Sequence, residues 1–283
     1  MIKLLNEKAW ICQIKNFLLF VFCRMKHNEV FLLSSNLAYV TILAFVPLLT
    51  VSFSIFSTFP SFLELKGNVE SFIYESFLPD VGQTLASYLT VFVENASKMT
   101  GFGILFLSII AISLIANIDY SLNRIWRVEK KRKWLYSFSI YWTILTLGPI
   151  LIATSLVLTR LFHVTFISNE ASVFQTIIIL IAKVLITCCS FFILFQLVPN
   201  KTVDYRYSIF GSVVSFCLFK LIQDVFVYYV FYIASYEIIY GALASIPIVF
   251  LWMYLMWLIV LVGAECAAGL PDFLNQKNES QSK

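Results

Sequence analysis

Lys220, Gln223 and Asp224 stand in a long apolar run from Tyr207 to Tyr232 of a 283-residue chain. At about 100° per residue the three fall within an arc of roughly 100° on one helix face, while Phe219, Leu221 and Ile222 point elsewhere. An isolated charge at the centre of a bilayer costs about 2.5 to 3.5 kcal/mol even on lenient insertion scales, so each of these groups calls for a partner or for water. Lys220 and Asp224 have the helical spacing to touch, although lysine first is the poorer order. Lys183 is a second candidate partner, roughly 14 Å into its own apolar run at a rise of about 1.5 Å per residue. Two readings fit. Lys183, Lys220, Gln223 and Asp224 line a polar groove that accepts an anionic or zwitterionic head group, or they form a buried ion pair that only fixes helix register.

A second polar group gathers Asn117, Asp119, Asn123 and Arg124 near the end of one apolar run, with Glu265 near the end of another. Asp119 or Glu265 pairing with Arg124 or Arg127 would make a gate; interfacial capping is the simpler reading. Gly263, Ala264, Ala267 and Ala268 put a compact face beside Glu265, which suits close helix packing.

Catalytic chemistry has little to draw on. The chain has 2 histidines, His27 and His163, placed on opposite sides of the membrane by the crossings assigned below. No HxH, HExxH, GxSxG, phosphate-binding glycine loop or CxxC pair occurs. Two-metal hydrolysis of nucleic acid needs clustered carboxylates, and the acids at membrane level are Asp119, Asp224 and Glu265. The expectation is a protein with no catalytic residue, no metal and no cofactor, and not an enzyme. The cysteines Cys12, Cys23, Cys188, Cys189, Cys217 and Cys266 suggest neither a disulfide framework nor a zinc site.

The elements that carry these residues follow from composition. With 60% hydrophobic and 13% charged residues, the chain lies far outside the composition of a soluble domain. About 20 apolar residues span the hydrocarbon, which places crossings at 34–58, 101–121, 136–160, 174–198, 207–232 and 243–269. The fold class is all-α, a polytopic membrane protein of six transmembrane helices. Lys3, Lys8, Lys15, Arg24, Lys26, Arg124, Arg127, Lys130, Lys131, Arg132, Lys133, Lys201, Arg206, Lys277 and Lys283 fall on one side, against Lys66, Lys98 and Arg160 on the other. The positive-inside rule then puts both termini in the cytoplasm.

Three organisational units result: a cytoplasmic amphipathic segment over 1–33, a membrane domain over 34–270 and a cytoplasmic tail over 271–283. Residues 4–27 alternate basic positions with Trp10, Ile14, Phe17, Leu18 and Val21, as in a helix lying in the interface or packed under the bundle. Pro47 and Pro149 should bend their helices at mid-depth. Pro247 joins them as a candidate kink, or as a first-turn proline. The acidic outer loop 59–100 reads as two short amphipathic helices broken at Pro79 and Gly82, a cap over the outer mouth. The basic loop 123–134 suits anionic lipid head groups, with no nucleic acid partner required.

Five blocks together carry a family resemblance: NLAYVTILAFVPLLTV at 36–51, NRIWRVEKKRKW at 123–134, YWTILTLGPIL at 141–151, LVPNKTVDYRYSIFGS at 197–212 and IIYGALASIPIVFLWMYLMWLIVLVGAE at 238–265. The chain resembles the YihY/BrkB family of bacterial inner-membrane proteins from about residue 30 to 270. That resemblance implies six membrane helices and an envelope role. Members have carried a virulence-factor label and an old ribonuclease BN label; the histidine-rich motif of zinc-dependent nucleases is absent here. The resemblance supplies no agreed catalytic residues. The leading expectation is transport or flipping of a lipid-like or amphipathic substrate in the bacterial inner membrane; the alternative is a non-transporting assembly or scaffold protein.

Overall fold

The computed structural model describes residues 2–57, 101–128, 151, 154, 173–240 and 245–281. The outer loop 59–100, most of the expected crossing 136–160 with Pro149, and the basic stretch 129–134 lie outside the described residues. Every described element is an α-helix: α1 (Ile2–His27), α2 (Val30–Ser57), α3 (Gly101–Ile125), α4 (Val173–Leu197), α5 (Tyr205–Tyr240) and α6 (Ser245–Gln281). Among the described residues, Ile177–Leu197, Tyr205–Tyr229 and Pro247–Gln276 are long and apolar enough to cross a membrane, and Val30–Ala44 is a shorter apolar helix.

Local chemistry sets the helix ends. α1 stops at His27, just after Arg24 and Lys26, cations that complement the negative end of its dipole. The chain then turns at Asn28 and Glu29, with Glu29 in the left-handed region at φ 57°. α2 starts at once, so Ser34 lies inside the helix, where its hydroxyl donates to the Val30 carbonyl at 2.8 Å. Arg127 N donates to Arg124 O and Val128 N to Asn123 O, a Schellman closure of α3 with Arg127 left-handed at φ 53°. Pro199 follows the end of α4, where a helix cannot continue. Asp204 caps α5, its Oδ1 accepting from Arg206 N at 3.0 Å.

Of the expected kinks, Pro47 lies within α2, which continues as helix to Ser57. Pro247 falls in the first turn of α6, the position where a missing N–H costs nothing. α6 also runs on past Pro271 to Gln281, well beyond the expected end of the last crossing.

The chain forms two compact units, Met1–Ala38 with Asn117–Lys283, and Tyr39–Ala116. The second consists, among the described residues, of the later part of α2 and the earlier part of α3. In the first, α5 packs on α4 and α6, and α1 packs on α6. Its core collects at one end of the bundle, around Leu37, Leu122, Ile125, Phe195, Ile259 and Leu261, all essentially inaccessible. Toward the other end α4 and α5 carry exposed Ile178, Leu185, Leu221 and Val225. Apolar exposure on that scale suits hydrocarbon as the solvent rather than water.

α5 and α6 meet through glycine. A Cβ on Gly211 would lie 2.6 Å from the Gly263 carbonyl oxygen, and one on Gly263 would lie 1.8 Å from Ser215 Oγ. Only hydrogen fits at that crossing, as in small-residue contacts between membrane helices. The compact face read beside Glu265 is therefore a packing face.

α1 packs one side of its amphipathic pattern against the core and leaves the other outward. Phe17, Val21 and Met25 join the core, and Phe17 meets the Phe273 ring at 5.4 Å. Ile14, Leu18, Leu19 and Phe22 remain outward and exposed, bordering an apolar groove with Lys15.

Candidate functional site

The packed end of the first unit is also its basic end, where Arg24, Arg124, Arg127, Lys201 and Arg206 converge. Arg24 is buried, and its guanidinium is satisfied on each edge. Nε donates to Glu265 Oε2 at 3.0 Å, Nη1 pairs with Asp272, and Nη2 donates to the Ile125 carbonyl at 3.2 Å. The other Glu265 oxygen accepts from Asn28 Nδ2 at 2.5 Å. Glu265 is 0% exposed, and Arg24 and Asn28 donate to its two oxygens. Gly269 lets the arginine stem lie against α6, since a Cβ there would meet Arg24 Cδ at 3.3 Å. The cluster ties α1, the α1–α2 corner, α3 and α6 into one knot.

Of the residues expected at a gate, Glu265 pairs with Arg24 and Arg124 pairs with Glu29. Arg124 turns outward to Glu29, Nη2 to Oε2 at 2.7 Å, because the left-handed Glu29 sits beside the last turn of α3. The hydrogen bond that Arg124 donates to Glu29 raises the Arg124 pKa above its ordinary value. Asp119 stays on α3, where its backbone carbonyl accepts from Asn123 Nδ2 at 2.9 Å. The partner of Glu265 is Arg24, which the sequence reading placed only among the orientation charges. Arg24 and Asn28 share a helix face by their spacing, a signal that could have flagged them.

A cavity of about 430 Å³ opens beside the knot. Arg24, Arg127, Lys201, Asp204, Tyr207 and Asp272 are among its lining residues. Two of the sequence blocks meet where Asn200 N donates to Asn123 Oδ1 at 2.6 Å.

Lys183, Lys220, Gln223 and Asp224 lie on α4 and α5, which are neighbours. Lys183 is about 21 Å along α4 from Leu197, and Lys220 about 22 Å along α5 from Tyr205, so the two are level. They lie within electrostatic reach of one another. Lys183 is half-buried, whereas Lys220 and Asp224 are exposed. Lys220 Nζ reaches Gln223 Oε1 at 3.4 Å in place of the Asp224 carboxylate. Among the described residues neither lysine forms an ion pair. Among the described residues, no packed interface seals Lys220 and Asp224.

Comparison with known proteins agrees with this helical, apolar chain. A family model described as virulence factor BrkB matches residues 21–283. A protein described as a UPF0761 membrane protein in Pseudoalteromonas atlantica is 37% identical over 276 residues, covering 96% of this chain and 91% of the relative. Similar proteins so described in Psychromonas ingrahamii and Vibrio atlanticus are 41% and 44% identical, covering 93% and 89% of this chain and 90% and 82% of theirs. No solved structure matches.

Proposed function

We propose that this chain, which belongs to the virulence factor BrkB family of membrane proteins, moves a lipid-like or other amphipathic substrate with an anionic or zwitterionic head group across the bacterial inner membrane. The observation that carries this reading is the level placement of Lys183 and Lys220 on adjacent helices, in reach of each other and without an ion-paired carboxylate among the described residues. Two like charges in a medium of low dielectric repel and are poorly solvated. A head group supplied by the substrate would neutralise both. Its tails would remain in lipid beside Leu185 and Leu221, which are each 61% exposed. Gln223 and Asp224 extend the polar face by one turn, and Asp224 suits the positive half of a zwitterion.

In this reading the basic end faces the cytoplasm with both termini, as the lysine and arginine asymmetry directs. The chain is a carrier, not a catalyst. Scaffold function without a transport path draws support from the sealed Arg24–Glu265 pair, but that pair lies at the basic end, whereas the lysines stand near the middle of α4 and α5. The testing experiment is movement of head-group-labelled lipid in reconstituted vesicles, comparing wild type with Lys183→Ala, Lys220→Ala and Asp224→Ala.

A further inference from the structure

We infer that the cavity at the basic end is a binding site for a phosphate-bearing ligand, with Arg127 and Lys201 as its anion-holding residues. Its volume of about 430 Å³ lies in the range of small-molecule sites, about 300 to 1,000 Å³. Charge decides what it takes. Arg24 is committed to Glu265, Asp272 and the Ile125 carbonyl, and Asp204 to capping α5. Arg127 and Lys201 line the same space and form no ion pair among the described residues. The cavity therefore offers two cations that are uncommitted among the described residues. The planar guanidinium fork and the compact ammonium are the usual recognition groups for phosphate oxygens. Thr202 and Tyr207 add hydroxyls to the lining.

Both cations sit on backbone fixed in advance. Lys201 belongs to the short connection between α4 and α5, which is pinned on each side. Asn200 N donates to Asn123 Oδ1 at 2.6 Å, and Gln196 Nε2 donates to the Val203 carbonyl at 3.0 Å. Gln196 is itself held by the Ser208 hydroxyl, which donates to its Oε1 at 2.8 Å. Arg127 occupies the left-handed position that closes α3 at φ 53°, where glycine is the favoured residue. A β-carbon there strains the backbone. What the side chain contributes in exchange is a guanidinium at the cavity wall. Such sites are about 21 Å along α4 from Lys183 at the helical rise, so the assignment stands whether or not anything moves past the membrane lysines. The ligand's phosphate could belong to a lipid head group at the membrane boundary or to a soluble phosphate compound.

The test titrates the purified full chain in detergent at low salt, with inorganic phosphate in one arm and dihexanoyl phosphatidylglycerol in the other. Arg127→Gly is the informative variant, because it removes the guanidinium while relaxing the left-handed backbone. Lys201→Ala, on an exposed residue, is its companion. Saturable binding of either probe is expected, weakened about tenfold or more in both variants, the scale of a lost charge-assisted contact. The melting temperature of Arg127→Gly should hold or rise. Binding of the phosphatidylglycerol alone identifies a lipid source, and binding of both probes identifies the phosphate group itself. Absence of saturable binding with both probes, or wild-type affinity in both variants, overturns the assignment.

Discussion

Arg24 Nε lies 3.0 Å from Glu265 Oε2, and the two side chains are only 5% and 0% exposed. They are separated by 241 positions in the chain, so the pair closes the first helix onto the last. A buried ion pair is weak evidence for net stability, yet breaking one is costly because the survivor is left charged and dry.

Arg24→Ala and Glu265→Ala should each destabilise the protein by about 3 to 5 kcal/mol, the range for removing one partner of a buried pair. Glu265→Gln, which keeps one acceptor oxygen for Arg24 and whose NH2 can donate to Asn28 Oδ1 once that amide flips, should cost less. Thermal unfolding in detergent reads the order; equal loss for Gln and Ala would show that the charge, not the hydrogen bonding, is what matters.

Gly211→Ala should be worse tolerated than Gly263→Ala. The new methyl at 211 meets a carbonyl oxygen at 2.6 Å, whereas the closest atom at 263 is the Ser215 hydroxyl, which can rotate away. Overpacking of this kind costs about 1 to 3 kcal/mol. The melting temperatures of the two variants, measured side by side, decide it.

Arg124 and Glu29 are an exposed pair, so Glu29→Gln should lose no more than about 1 kcal/mol, and less at high salt. The Arg124 pKa is raised in the folded state, so its contribution is present below the unfolded value and lost only as pH rises through the folded one. That window lies above the ordinary arginine range. Stability should accordingly show no step from this pair on moving from neutral to moderately alkaline buffer.

Orientation can be read from Cys12, which is exposed on α1. In a variant keeping Cys12 as its only cysteine, a membrane-impermeant maleimide should label inverted vesicles and leave intact spheroplasts unlabelled. Labelling in spheroplasts would reverse the assigned topology.

Much of the architecture was legible because hydrocarbon imposes one rule, that backbone polar groups be satisfied within each segment. Apolar length alone located α4, α5 and α6 to within a few residues at the starts. The later end of α6 was missed, since Pro271 reads as a stop signal but is accommodated within the helix. Small residues at 263–268 were legible as a packing face, though not that Gly211 is their partner. Arg24 was the main omission. Its charge counted toward orientation, and periodicity shows which face a residue occupies without showing what lies across from it. Glu265 was found by its position in an apolar run, and its partner could come only from the fold. The depth of Lys183 in its apolar run, roughly 14 Å, followed from simple helical rise. The mutual proximity of Lys183 and Lys220, and the turn of Lys220 toward Gln223, needed the packing of α4 on α5.

The most direct measurement is the rate at which head-group-labelled lipid crosses vesicles carrying wild type or the Lys183→Ala/Lys220→Ala double variant, against empty vesicles. A wild-type rate well above empty vesicles, falling about tenfold or more in the double variant, is the predicted result. A wild-type rate equal to that of empty vesicles, or no difference between wild type and the double variant, would contradict the assignment of those two lysines to a substrate path.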